Sequence, residues 1–165
     1  MKKRMIVIIL VLSIALCGCS AAETFERLND VYVATPAAEQ AQIKLELPDD
    51  AAQSVMSTDT SKWYIGENYE VLLETYESGD LNKTLQTVTG YPADTLTVME
   101  LKDDGFDRYL CAWSAVTAEG EKVGRCAVLD DGQYHYCLTV MVPAAQAGQL
   151  QSVIDSILRS YSLSL

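Results

Sequence analysis

Apolar and polar side chains alternate strictly over Ile43-Lys44-Leu45-Glu46-Leu47, which predicts a half-buried strand ended by Pro48-Asp49-Asp50. Trp63-Tyr64-Ile65 and the run 69–76 predict two more strands around a Gly66-Glu67-Asn68 turn. Ser78-Gly79-Asp80 then offers an N-cap for a helix with Leu81, Leu85 and Val88 on one face, stopped by Gly90 and Pro92. Four strands follow, over 96–101, 108–117, 122–129 and 134–142. They are joined through Asp103-Asp104-Gly105, Glu119-Gly120 and Asp131-Gly132. Asp-Gly between alternating segments is a strong hairpin signal, because both central positions of that turn need positive φ. The last element, 149–161, is a helix with Leu150, Ile154, Ile157, Leu158 and Tyr161 along one face.

Strands outnumber helices and consecutive strands are hairpin-linked, so the pattern predicts the α+β class with an antiparallel sheet. Both faces of the later strands are apolar. One carries Leu110, Ala112, Val116, Val123, Ala127, Leu129, Leu138 and Val140, the other Cys111, Trp113, Val128, Cys137 and Met141. A sheet apolar on both sides must be covered on both sides. The predicted architecture is therefore a three-layer α/β/α sandwich, with helix 149–161 on one face and helix 81–89 on the other.

The N-terminus reads differently. Lys2, Lys3 and Arg4 precede an apolar run from Met5 to Leu16 that only Ser13 interrupts. About a dozen residues is short of the roughly 20 a membrane-crossing helix needs, and describes a secretory signal peptide. Leu16-Cys17-Gly18-Cys19 resembles a bacterial lipobox. The resemblance implies cleavage between Gly18 and Cys19, acylation of the Cys19 thiol, and a protein held to membrane lipid on the outer face of the cell membrane. Cys17 fills the small-residue position and leaves with the leader. The domains expected are 1–18 as signal peptide, 19–42 as tether, and 43–165 as the folded body. Phe25, Leu28 and Tyr32 give the tether one short helical stripe, suited to packing on the body or on a protein partner.

Cleavage changes the charge. The chain has 12 basic and 23 acidic residues; three basic ones leave with the leader, so the 147 remaining residues carry −14. A body this acidic excludes nucleic acid as a partner and leaves the membrane contact to the lipid.

The order of elements from Ile43 to Leu163, above all the closing strand–strand–strand–helix run, resembles the PsbP-like fold. Tyr-Leu-Cys-Ala-Trp at 109–113 and Leu-Asp-Asp-Gly-Gln-Tyr-His-Tyr at 129–136 are similar to segments of small lipoproteins of anaerobic gut-type Firmicutes. The first resemblance implies a fold that hosts mostly non-enzymatic accessory proteins, the second a location.

Motifs for catalysis are sparse. There is no G-x-S-x-G, P-loop or H-E-x-x-H, and the single histidine, His135, excludes a His-pair metal site. The 103–107 stretch lacks the alternating oxygen ligands of a calcium loop. No cofactor or metal is expected. His135 and Cys137 share a strand face, about 6.6 Å apart along the backbone, and point at the predicted core, which makes a thiol enzyme or hydrolase the weakest of three readings. A solute pocket beside Trp63, Tyr64 and Trp113 is the second reading. A non-catalytic accessory or binding module acting at the membrane surface is the first.

Three cysteines remain in the body. If Asp131-Gly132 and Glu119-Gly120 are two-residue loops, Cys126 faces Cys137 on one side and Trp113 on the other, while Cys111 faces Val128. That register predicts adjacent thiols at 126 and 137, and Cys111 as a buried free thiol.

Overall fold

The computed structural model describes residues 40–103 and 105–164. The leader, the lipobox with Gly18 and Cys19, and the stripe of Phe25, Leu28 and Tyr32 lie outside them.

Seven strands form one antiparallel sheet in the order β2-β3-β4-β8-β7-β6-β5. They are β2 (Ala52–Gln53), β3 (Ser61–Ile65), β4 (Glu70–Glu77), β5 (Val98–Asp103), β6 (Phe106–Thr117), β7 (Gly120–Asp130) and β8 (Tyr134–Pro143). The alternating segment at 43–47 does not join this sheet. Its first part, β1 (Gln42–Lys44), pairs instead with β9 (Ser162–Ser164), the strand that follows the last helix. Ile43, Leu45 and Leu47 still pack inward, as their alternation requires.

The helices are α1 (Leu81–Thr89) and α2 (Gln151–Ser160). Asp80 caps α1 by accepting from the Asn82 N–H at 3.0 Å. The chain ahead of α2 makes a 3₁₀ turn over Ala144–Gln146, so α2 starts two residues later than the periodicity suggests. Among the described residues no helix is long and apolar enough to cross a membrane.

Each helix covers one face. Ile154 and Ile157 of α2 bury against Val71, Leu73, Ala127, Leu129, Leu138 and Val140. Leu85 of α1 buries against Tyr76, Cys111, Trp113, Cys126, Val128 and Cys137. The α/β/α sandwich is therefore the fold, with side chains on the predicted faces.

The register differs. Asp130 pairs with His135, so the β7–β8 loop has four residues, not two. Two aspartate side chains hold it open. Asp130 accepts from the Gly132 N–H at 2.8 Å, and Asp131 from the N–H groups of Gln133 and Tyr134 at 2.8 and 2.7 Å. At the other hairpin Thr117 pairs with Gly120, so Ala118 and Glu119 make the loop and Gly120, at φ 120°, closes it. Both corrections shift the pairing by two residues. Side chains alternate with period two, so every residue keeps its face and changes its partner. Cys126 faces Cys111 and Thr139, while Cys137 faces Val128. The predicted opposition of Cys126 and Cys137 is thereby corrected.

Candidate functional site

Helix α2 packs over β4, β8 and β7, reaches Phe106 and Leu110 of β6, and leaves the same face of β5 open. The uncovered trough is a cleft of about 690 Å³, within the size range of small-ligand sites. Its floor is the alternate residues that β5 and β6 turn to this side: Met99 and Leu101 from one, Leu110 and Ala112 from the other. Met99 is 58 % exposed and Leu101 40 %, which is unusual for large apolar side chains sitting together. Strand β5 is also one edge of the sheet, so the cleft opens along one side to unpaired backbone.

The rim is cationic. The Arg108 guanidinium donates to Asp103 through Nε at 2.8 Å and to the Tyr161 carbonyl through Nη2 at 2.9 Å. The second bond satisfies a carbonyl left over at the end of α2 and ties the helix to β6. Arg125 of β7 pairs with Asp155 of α2 at 2.8 Å. Arg159, one turn further along α2, lines the same cleft and has no ion-pair partner among the described residues. Three of the four arginines after Cys19 thus meet around one apolar floor, in a body whose balance is strongly acidic. Two carboxylates against three guanidiniums leave the cleft net positive. This arrangement can hold a molecule with an apolar body and an anionic group.

The aromatic residues singled out by sequence do not make a site together. Trp63 pairs with Leu72 and Tyr64 with Val71, so the two point to opposite faces. Three strands separate β3 from the β6 that carries Trp113. Trp113 is 9 % exposed and lies over Gly124, where an added Cβ would come within 2.5 Å of the indole ring. It is core that fills the space left by a missing side chain. The structure does not bring Trp63, Tyr64 and Trp113 together, and none of them lines the cleft beside α2.

His135 and Cys137 are both buried, on the α1 face. The His135 ring meets Thr84 Oγ1 of α1 at 2.7 Å through Nδ1. Ser78 Oγ and Asp130 Oδ2 both approach its Nε2, each at 3.4 Å. Serine, histidine and aspartate therefore do not form a relay, since a relay needs the carboxylate and hydroxyl on different ring nitrogens. Burial pushes the Cys137 thiol well above the ordinary range, and Glu74 nearby pushes it further. The thiol is held neutral, and its sulfur donates to the His135 carbonyl at 3.9 Å rather than meeting the imidazole. In the 103–107 hairpin, Asp103 and Asp107 are paired with Arg108 and Lys102.

No family model matches the chain, and neither does any curated protein. Solved structures do match in shape. The cyanobacterial PsbP (CyanoP) of Synechocystis sp. PCC 6803 superposes with a TM-score of 0.53 at 9 % identity, over 80 % of this chain and 98 % of its own. The fold is PsbP-like. LpqN of Mycobacterium tuberculosis, involved in cell envelope biogenesis, matches this PsbP-like domain with a TM-score of 0.52 at 14 % identity, over 82 % and 90 % of the two chains. A Bacteroides thetaiotaomicron protein matches at 0.51 and 7 % identity, over 74 % of this chain and 45 % of its own, so the chain spans under half of that protein.

The cleft left little trace in the sequence. Arg108, Arg125 and Arg159 stand 17 and 34 residues apart. Only the alternation of Met99 and Leu101 with Glu100 and Lys102 hints at it.

Proposed function

We propose that this chain is a lipoprotein anchored through acylated Cys19 to the outer face of the cell membrane, where its PsbP-like domain acts as a non-catalytic binding module. The cleft beside α2 takes a small amphiphile with an apolar chain and an anionic head. The observation that carries this reading is the convergence of Arg108, Arg125 and Arg159 on a floor of exposed Met99 and Leu101 and half-buried Leu110. In so acidic a protein, a net-positive cleft concentrates anions that the rest of the surface repels. Apolar burial would supply the affinity and Arg159, without an ion-pair partner among the described residues, the selection of the head group. The lipobox-like Leu16-Cys17-Gly18-Cys19 supports the location, as does the similar fold of LpqN, a protein involved in cell envelope biogenesis.

Calorimetric titration of dodecanoate into residues 20–165 tests the binding. Saturable binding is expected, weakened about tenfold by Arg159→Ala, the loss of roughly 1.4 kcal/mol for one charge-assisted contact. No heat of binding to a folded protein would refute it.

A further inference from the structure

Cys111 and Cys126 are directly opposite residues of β6 and β7. Counting outward from the Thr117–Gly120 pair that closes the hairpin, they form a hydrogen-bonded pair, whose Cα atoms lie about 5.5 Å apart in such ladders. That separation is inside the range a disulfide spans. Both are free thiols, buried in the layer between α1 and the sheet. Cys137 stands apart: it faces Val128 and is only a diagonal neighbour of Cys126.

We propose that Cys111 and Cys126 are a redox-modification site, closing to a cross-strand disulfide by exchange with an exported disulfide-bearing oxidant. The extracytoplasmic placement on which this rests supplies such oxidants, whereas a cytosolic thiol pair would stay reduced.

The environment sets the order of events. Cys111, at 7 % exposure, is the more accessible of the two, and Cys126 is at 1 %. Cys111 thiolate therefore attacks the oxidant R–S–S–R first, forming a mixed disulfide and releasing one R–S⁻. Cys126, having lost its proton to the released thiolate, then attacks the Cys111 sulfur and expels the second R–S⁻. Two thiols and one disulfide become one disulfide and two R–SH. The Thr139 side chain faces Cys126 across the β7–β8 ladder, and its hydroxyl has no hydrogen-bond partner among the described residues. Entry runs past Ala93, Leu96 and Val98, part of the connection into β5, an edge strand of the sheet. The backbone of both cysteines also floors the cleft, so the bond would sit directly beneath the proposed ligand site.

The full chain, purified from membranes, is incubated with excess oxidised glutathione, acid-quenched, alkylated and mapped by mass spectrometry. The expected product has lost the mass of two hydrogens, links the peptides of Cys111 and Cys126, leaves Cys137 alkylated, and reverts with dithiothreitol. Cys137→Ser behaves the same, and Cys111→Ser loses the bond. A Cys126–Cys137 link, or three alkylated body thiols after incubation in denaturant low enough to permit only local opening, overturns the proposal. Trapping the thiols in intact cells separates the two readings. A pair that oxidises in the tube but stays reduced in cells contradicts the extracytoplasmic placement and leaves the site standing.

Discussion

Trp113 and Gly124 face each other across the β6–β7 ladder, with the indole occupying the volume a side chain at 124 would need. The absent Cβ is thus part of the packing on the α1 face. Gly124→Ala should force the ring aside and cost about 1–3 kcal/mol, read as a lower denaturation midpoint at unchanged slope. A midpoint equal to wild type would show that the indole has room to move.

Thr84 Oγ1 and His135 Nδ1 make the short buried bond that pins α1 to β8. Thr84→Val keeps the shape and strands the imidazole nitrogen, so it should destabilise by about 1–3 kcal/mol. Because α1 is on the face away from the cleft, amphiphile affinity should not change. Loss of binding in a folded Thr84→Val protein would instead make the His135 network part of the site.

Glu74 gives the protein a pH-dependent stability term. Burial chiefly raises its carboxyl above the ordinary range, and the Tyr76 hydroxyl partly offsets that by hydrogen-bonding to it. The folded state therefore holds this proton more tightly than the unfolded chain. Its contribution is fully present below the unfolded value of about 4.3 and is lost as pH rises through the higher folded value. Glu74→Gln should remove that decline and be relatively more stable at neutral pH. Denaturation midpoints measured across the acid-to-neutral range check the sign; a wild type that gains on Glu74→Gln as pH rises would reverse it.

The anchor depends on Cys19 and not on Cys17. Labelling cells with a fatty-acid analogue should mark the wild type and Cys17→Ser, and leave Cys19→Ser unmarked. Label retained by Cys19→Ser would remove the lipobox assignment.

How much of this was legible in the sequence follows from what period-two patterns encode. Alternation assigns faces, so the α/β/α layering and both core faces could be read directly. It does not assign partners. Those depend on loop length, and the β7–β8 loop is set by the side chains of Asp130 and Asp131 bonding to local backbone N–H groups, which reads the same as an Asp-Gly turn until the bonds are seen. The slip by two residues moved Cys126 from Cys137 to Cys111 without disturbing the core. The strand at 43–47 was recognisable, but its partner, Ser162–Ser164, has no pattern long enough to announce itself. The cleft was hidden for a similar reason. It exists because α2 crosses over β4, β8 and β7 and stops short of β5, a matter of placement that no local segment specifies. Trp63, Tyr64 and Trp113 drew attention as large aromatics, yet burying an aromatic ring in a core is worth as much as presenting it to a ligand, and residue type alone does not distinguish the two.

The most direct test of the central claim is chemical-shift mapping of the isotope-labelled domain titrated with dodecanoate. Shifts should grow saturably at Thr97, Met99, Leu101, Leu110, Arg125 and Arg159, and stay small around Trp63 and Trp113. Shifts centred on those tryptophans, or none at any residue, would contradict the account.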